Sequence, residues 1–408
     1  MHILFLTDNF PPEVNAAASR VYERACYWVK WGHKVTVITC TPNFPQGKVY
    51  PGYKNKWYQV EELNGIKVVR VKTFMAKNEG FFWRIIDFNS YMIMAIVVGV
   101  FQKEVDIIVA TTPQFFAGVG GYFLSVLKRK SFILEVSDLW PASIAAVGAI
   151  SKNSKIYKII EKIELFLYRH SRKIIVLTQA FKVDLVTRGI VAEKVEVIIN
   201  GVELENYFPR PKDSNTLTSL NLTNEFIVGY IGTHGMAHNL LNVLKVAKKI
   251  ESLNKTIQFM FVGDGADRDN LIKFADKNKI KNARFISAQP KEKMPAYWSL
   301  CDIALIHLKD EKTFSTVIPS KLFEAMAMGL PIFLVAPKGE VSNLVERMQC
   351  GMFVEAGDLI AFEKKLLELF SSTSKLELMK KNSLESVKKF SREAQAKLFL
   401  EVVSQNIN

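Results

Sequence analysis

The sequence predicts two α/β domains in tandem, each a doubly wound parallel sheet, facing each other across a cleft. Three observations point there. Apolar runs of strand length alternate with helical stretches along most of the chain, the pattern of parallel sheets covered on both faces. The alternation pauses once, at Asn206–Glu225, where Pro209, Pro211 and the polar run DSNTLTSLNLTNE have linker composition, and then it restarts. At 408 residues the chain also exceeds one ordinary core.

In the first domain, taken as 1–205, the expected strands are His2–Thr7, Lys34–Thr39, Gly65–Val71, Ile107–Ala110, Phe132–Val136, Ile174–Leu177 and Val195–Ile199. Helical segments such as Ala17–Trp31 and Lys155–His170 separate most of them. The second domain, taken as 206–385, offers Phe226–Ile231, Ile257–Val262, Ala283–Ile286, Ile303–Ile306 and Ile332–Val335. The tail Lys375–Ser404 reads as helical, and its end, 386–408, is expected to cross back to the first domain.

Hydrophobic residues at 49% and charged residues at 23% fit a folded globular protein. The net charge of +14 is spread over both halves, so anionic partners fit: nucleotide phosphates, a phospholipid surface or a lipid pyrophosphate. Neither nucleic acid nor a cofactor is expected. Cys26, Cys40, Cys301 and Cys350 lie far apart without metal-like spacing, which suits buried free thiols in a reducing compartment. The start MHILFLTDNF has no basic region and no cleavage site and reads as a first strand. The longest apolar run, Tyr91–Phe101, is too short to cross a bilayer. The expected location is cytoplasmic, with any membrane contact made from that side.

Ligands of open α/β sheets bind outside the carboxyl ends of the strands, so the loops there are the candidate sites. After the first strand, Asn15, Ala16 and further small residues open a helix that a ligand could approach closely. No GxGxxG occurs, which excludes the dinucleotide fingerprint, and the segment equally reads as a polar βα loop. Asp138 ends another strand ahead of Trp140 and Pro141, either to hold a hydroxyl against an aromatic wall or to cap a helix. Gly232 and Gly235 permit a tight turn toward a phosphate, with His234 and His238 as hydrogen-bond donors and no completed zinc set. Asp267-Arg268-Asp269 has an acid-x-acid spacing but sits where Asp favours a helix start. No nucleophile elbow and no P-loop is present.

The segment Thr313–Pro331 is the most informative. Pro319 forbids a helix through its predecessors, Ser320 sits where an N-cap belongs, and good helix formers follow up to Gly329 and Pro331. A helix start with Lys321 on it is a ready phosphate site, and Glu324, one turn on, can accept from sugar hydroxyls. The plain alternative is a capped helix with a solvated lysine and glutamate.

Taken in order, FPPEVNAAASR, WGHKVTVIT, SDLWP, IINGVELENYFP, YIGTHGMAHNL, FVGDGADRDNL, CDIAL and PSKLFEAMAMGLP resemble the family-4 retaining glycosyltransferases of the GT-B fold, which has two Rossmann-like domains. The likeness runs over nearly the whole chain. It is strongest to the N-acetyl-L-fucosamine transferases of O-antigen and capsule synthesis, which share SDLWP and PSK-x-x-E. The resemblance implies a UDP-sugar donor on the second domain and a lipid-pyrophosphate-linked saccharide acceptor on the first. It puts Glu324 on the ribose, Ser320 and Lys321 on the diphosphate, and Gly232, Thr233, His234, Gly235 and His238 along the phosphate path. Ile318 and Pro319 complete that donor loop, and Gln289 and Lys291 lie near the base. Asn15 and Ala16 abut donor phosphate and acceptor, Asp138 faces the reacting sugar, and Asp138 and Lys321 carry the catalysis without a metal.

Two departures stand out. Thr316 occupies the position, eight before Glu324, where the family has a second glutamate, and the usual Arg/Lys pair for diphosphate is absent from the Gly232 loop. Lys321 is therefore expected to take more of the electrostatic load. A UDP-sugar 2-epimerase of the same architecture and an inactive nucleotide-sugar-binding subunit are the other readings. The regions Lys77–Phe101 and Lys152–Lys173 are read either as a peripheral membrane contact or as ordinary helices with a solvated basic face.

Overall fold

The computed structural model describes the chain except Pro45, 76–80, Pro113, Gln114, Val147, Ala149, Asn224 and Asn408, and the side chains of Phe81 and Phe82. It divides into two units, one of Met1–Asn200 with Arg392–Asn408, the other of Gly201–Ser391.

The first unit holds β1 (His2–Leu6), β2 (Lys34–Cys40), β3 (Tyr58–Leu63), β4 (Ile66–Val71), β5 (Ile107–Thr111), β6 (Ser131–Val136), β7 (Lys173–Val176) and β8 (Val195–Val197). They form one sheet in the order β3-β4-β2-β1-β5-β6-β7-β8. Every neighbouring pair is parallel except β3 with β4. Strands β1, β5 and β6 are buried throughout, which is why they read as mostly apolar runs, with Glu135 the charged exception on β6. Strand β3 was not anticipated. Its hairpin turns on Asn64-Gly65, both at positive φ, and Asn-Gly is the strongest short signal for such a turn.

The tail is two helices rather than one. Thr373–Val387 and Arg392–Ser404 are parted by a 3-10 turn, Lys388–Phe390, and by Ser391 in extended conformation. Ser391 bridges Val202, whose amide donates to the Phe390 carbonyl at 2.9 Å. Within the first unit, Arg392–Ser404 packs on the helix Ala16–Lys30. The Trp28 indole donates to the Ala396 carbonyl at 2.9 Å, and the Arg24 guanidinium lies 4.2 Å from the centre of the Phe399 ring.

The helix Phe81–Val100 corrects another expectation. The helix starts ten residues before the run Tyr91–Phe101, and although Arg84, Asp87, Asn89 and Ser90 lie in that part, Trp83–Val100 is by length and composition able to cross a membrane. It is also rooted in the fold, since the Tyr91 hydroxyl donates to the Ile38 carbonyl at 2.8 Å. Of the cysteines, Cys40, Cys301 and Cys350 are buried and free, and Cys26 is half-buried.

The second unit holds β9 (Phe226–Ile231), β10 (Ile257–Val262), β11 (Ala283–Ile286), β12 (Ile303–His307), β13 (Ile332–Ala336) and β14 (Gly351–Glu355). The order is β11-β10-β9-β12-β13-β14, parallel throughout. Strand β14 was not anticipated, and the expected linker contains a short helix, Ser214–Ser219, capped by Asp213. The strand order reverses direction between β9 and β12. That switch point is where such sheets bind ligands.

Candidate functional site

Tyr230 lies near the end of β9, fully buried, and the chain then turns at Gly232 with φ +141°. A Cβ on Gly232 would stand 2.7 Å from the Nζ of Lys321 and would displace that amine, in a backbone conformation that side chains rarely adopt. Lys321 opens the helix Lys321–Ala327 and is buried. Its Nζ has no hydrogen-bond partner among the described residues and lies 3.7 Å from the centre of the Tyr230 ring. Burial pulls the amine down to about 7, with the charge on Glu324 acting in the opposite direction.

The two histidines of the Gly232 loop differ in their hydrogen bonding. The His234 ring is fully buried, packed near Tyr230, Phe261 and Phe285, with both nitrogens unpartnered. Burial, and then the charge on Lys321, lower it to about 4. The Nδ1 of His238 lies 3.2 Å from the His307 carbonyl, which can only accept, so Nδ1 carries the proton. Burial and Lys321 hold His238 well below the usual imidazole range. The Nε2 of His238 is then an acceptor, whereas neutral His234 carries one N–H that is buried and has no hydrogen-bond partner among the described residues. The loop itself is fixed from both sides: His234 donates to the Asp264 carbonyl at 2.9 Å, and Lys309, beyond β12, donates to the Ala237 carbonyl at 2.8 Å.

Ser320 occupies the N-cap position in helical conformation, without the side-chain cap bond expected of it. The helix it opens has seven residues, so its field is small and the lysine carries the charge. The Pro319 carbonyl accepts from Leu322 at 3.1 Å, and Ile318 is half-buried beside it in sequence. Glu324 is half-buried, with the Trp298 indole reaching its Oε2 at 3.4 Å. Thr316 lies in the turn Lys312–Thr316 and donates to the Thr313 carbonyl at 2.8 Å. Thr233 is exposed, and its carbonyl accepts from the Tyr230 hydroxyl at 2.7 Å. Gln289 and Lys291 stand beyond β11, two strands from β9, and are not brought against Lys321 by any described contact. Asp267 is at the N-cap position of Arg268–Lys277, again without a side-chain cap bond. Among the described residues no group of three His, Cys, Asp or Glu could hold a metal ion.

In the first unit, Asn15 is the N-cap of Ala16–Lys30: its Oδ1 accepts from Ala18 at 2.9 Å and its Nδ2 donates to Asn9 at 2.8 Å. Its side chain is committed to the turn, and exposed Ala16 leaves the helix start open. Asp138 is half-buried, and burial pushes its carboxyl up to about 6 against the Ser143 hydroxyl and the Leu139 amide. Trp140 is no open aromatic wall. It is buried, stacked on Phe115 and against Phe88. The sequence reading missed Glu13, which is buried and accepts from the amides of Phe10, Asn43 and Phe44, pinning the loops after β1 and β2 together. Burial raises it to about 7. It also missed Tyr230 and Trp298, because an aromatic on a strand or helix reads as core.

Residues 17–206 match the family model described as Glycosyltransferase Family 4, and 215–386 match Glycosyl transferases group 1. The chain carries both glycosyltransferase domains in tandem. WcaI of Escherichia coli (strain K12), named as a colanic acid biosynthesis glycosyl transferase, is 24% identical over 336 residues, 81% of this chain and 82% of that protein. Among solved structures, sucrose-phosphate synthase from Thermosynechococcus elongatus aligns with TM-score 0.79 and 16% identity, covering 99% of this chain and 98% of that one. Anabaena HepE in complex with UDP-glucose aligns at 0.75 and 17%, covering 99% and 100%. The glycosyltransferase has the two-domain, Rossmann-like GT-B fold.

Proposed function

We propose that this glycosyltransferase moves an amino sugar, N-acetyl-L-fucosamine or a close relative, from a UDP-sugar to a lipid-pyrophosphate-linked saccharide during surface polysaccharide synthesis. One observation carries the reading: a buried amine whose Nζ has no hydrogen-bond partner among the described residues, at the switch point of the second sheet, under a glycine turn. Glycosyl transfer from a nucleoside diphosphate needs a stabilised leaving group more than a strong acid. Lys321 meets the developing diphosphate charge in a site of low dielectric. No metal is required for that, and the anomeric configuration is retained.

Glu324 takes the ribose hydroxyls, and Ser320, with its hydroxyl free of a cap bond, takes a phosphate oxygen. Gln289 and Lys291 serve the base, and Thr316 puts a hydroxyl where an acid would meet the sugar. Asn15, Ala16 and Asp138 of the first unit serve the acceptor and the reacting sugar. HepE supports the choice of donor, since it holds UDP-glucose on the same fold. WcaI supports the polysaccharide context, and SDLWP with PSK-x-x-E supports the amino sugar.

A lipid-linked acceptor calls for a membrane-facing surface, and the first unit offers one. Ile93, Phe123, Leu127 and Ile159 are more than half exposed on the helices Phe81–Val100, Phe115–Lys128 and Lys155–His170, and Phe101 is 76% exposed. Lys155, Lys158 and Lys162 are exposed on the last of these, which suits anionic headgroups. Lys77 lies outside the described residues. Measuring UDP release from a panel of UDP-sugars, with and without a lipid-pyrophosphate saccharide, tests the proposal. Acceptor-dependent release supports it. Epimerised nucleotide sugar without acceptor, or UDP binding with no turnover, overturns it.

A further inference from the structure

We propose that Tyr230 is a positioning residue of the donor site, setting both the Lys321 ammonium and the Gly232 turn from one buried ring. The inference rests on the reading of Lys321 as the counter-charge of the diphosphate. Tyr230 is fully buried on β9, beside the switch point. Its hydroxyl donates to the Thr233 carbonyl at 2.7 Å and so closes the turn at Gly232. Its ring centre lies 3.7 Å from the Lys321 Nζ, which has no hydrogen-bond partner among the described residues.

The chemistry of that contact suits a waiting site. An aromatic face attracts a cation through its quadrupole, most strongly where water is excluded. It accepts no conventional hydrogen bond, so all three N–H groups of the ammonium stay available to an incoming phosphate. A carboxylate in the same place would neutralise the lysine and compete with the ligand, and an aliphatic side chain would not hold the charge. The neighbouring rings of His234 and His238, centred 5.9 and 5.8 Å from Tyr230, are neutral and supply no rival anion. The absent Cβ of Gly232 keeps the other side of the amine clear. One side chain thereby fixes the distance between a charge carried by the segment after β12 and the backbone turn after β9.

The test uses the full-length protein and UDP as the probe, with calorimetry across pH. Tyr230 is replaced by phenylalanine, which keeps the ring and removes the hydroxyl, and by a fluorinated phenylalanine of nearly the same size with a weakened quadrupole. We expect the phenylalanine variant to keep the wild-type pH midpoint of UDP affinity. The fluorinated variant should bind UDP about tenfold more weakly, with that midpoint moved to lower pH. Equal affinity and equal midpoint for the two variants would overturn the inference, since a merely structural ring is indifferent to its quadrupole. Lys321→Met separates the two levels. If it binds UDP as the wild type does, the reading of the site fails; if it binds weakly while the two ring variants match, only the role of Tyr230 fails.

Discussion

Gly263 stands so close to Gly232 that a Cβ on it would lie 2.0 Å from the Gly232 carbonyl oxygen. Two glycine loops, after β9 and β10, therefore pack backbone to backbone beside the proposed donor site. Gly263→Ala must push the Gly232 turn outward, in a backbone region (φ +148°) that side chains rarely adopt. The expected result is a loss of UDP affinity of about tenfold or more, with a stability cost on the order of 1–3 kcal/mol. Calorimetry with UDP beside a thermal melt would check it, and unchanged affinity would detach the turn from the ligand.

Lys321→Ala is expected to lower turnover more than donor binding, because the charge acts chiefly on the leaving group. The ligand-free protein should respond in the opposite sense. In the unfolded chain this lysine holds its proton up to about 10.5, and in the folded chain only to about 7. Between those values the unfolded state binds more protons, so wild-type stability rises with pH there. Lys321→Met removes that slope and should be more stable at pH 7 by a few kcal/mol, roughly, an advantage that shrinks toward pH 10. Denaturant titrations at several pH values read this directly.

Glu324→Ala is expected to weaken UDP, through loss of the ribose contact, by about tenfold. The Trp298 indole that now reaches the carboxylate would be left without it. Comparing UDP with 2′,3′-dideoxy-UDP isolates the sugar contribution: the variant and the wild type should bind the dideoxy ligand alike. If Glu324→Ala discriminates between the two nucleotides as the wild type does, Glu324 is not on the ribose.

Much of this architecture was legible because buried parallel strands leave mostly apolar runs, as β1, β5 and β6 do. The helix Lys155–His170 was legible to the residue, with Ser154 capping its start. Strand β3 escaped because it lies at the edge of the sheet with alternate residues exposed, and only Asn64-Gly65 marked its hairpin. At the site, Lys321 and Gly232 stood out through charge and backbone freedom, both local properties. The burial of His234 and the placement of Tyr230 under Lys321 depend on how β9, β10 and β12 come together, and no window of sequence contains that.

Asp138 offers a pH test. Its carboxyl sits at about 6 because burial disfavours the charged form. If the ionised form serves the reacting sugar, kcat/KM should fall as pH drops through about 6. Asp138→Asn should lower the rate at neutral pH by about a hundredfold or more and abolish that acid limb. An acid limb that survives in Asp138→Asn would assign it to another group.

Glu135 is fully buried on β6, with Arg24 at 2.8 Å and Arg20 at 3.3 Å, both also buried on Ala16–Lys30. Burial alone would raise its carboxyl, but the two guanidiniums outweigh that and hold it at about 2, below its ordinary 4.5. A carboxylate whose folded value is depressed stabilises fully above its unfolded value, and the contribution is lost as pH falls through the folded one. The loss is therefore expected between about pH 4.5 and pH 2. Glu135→Gln leaves two buried cations without their anion, a change that costs on the order of 3–5 kcal/mol. The variant should melt well below the wild type at pH 7 and lose less further stability on acidification through that window. Because Arg24 also lies against Phe399, the helix Arg392–Ser404 should loosen in the same variant. Hydrogen exchange at Phe399 and its neighbours would report it, and unaltered protection there would confine the effect to β6.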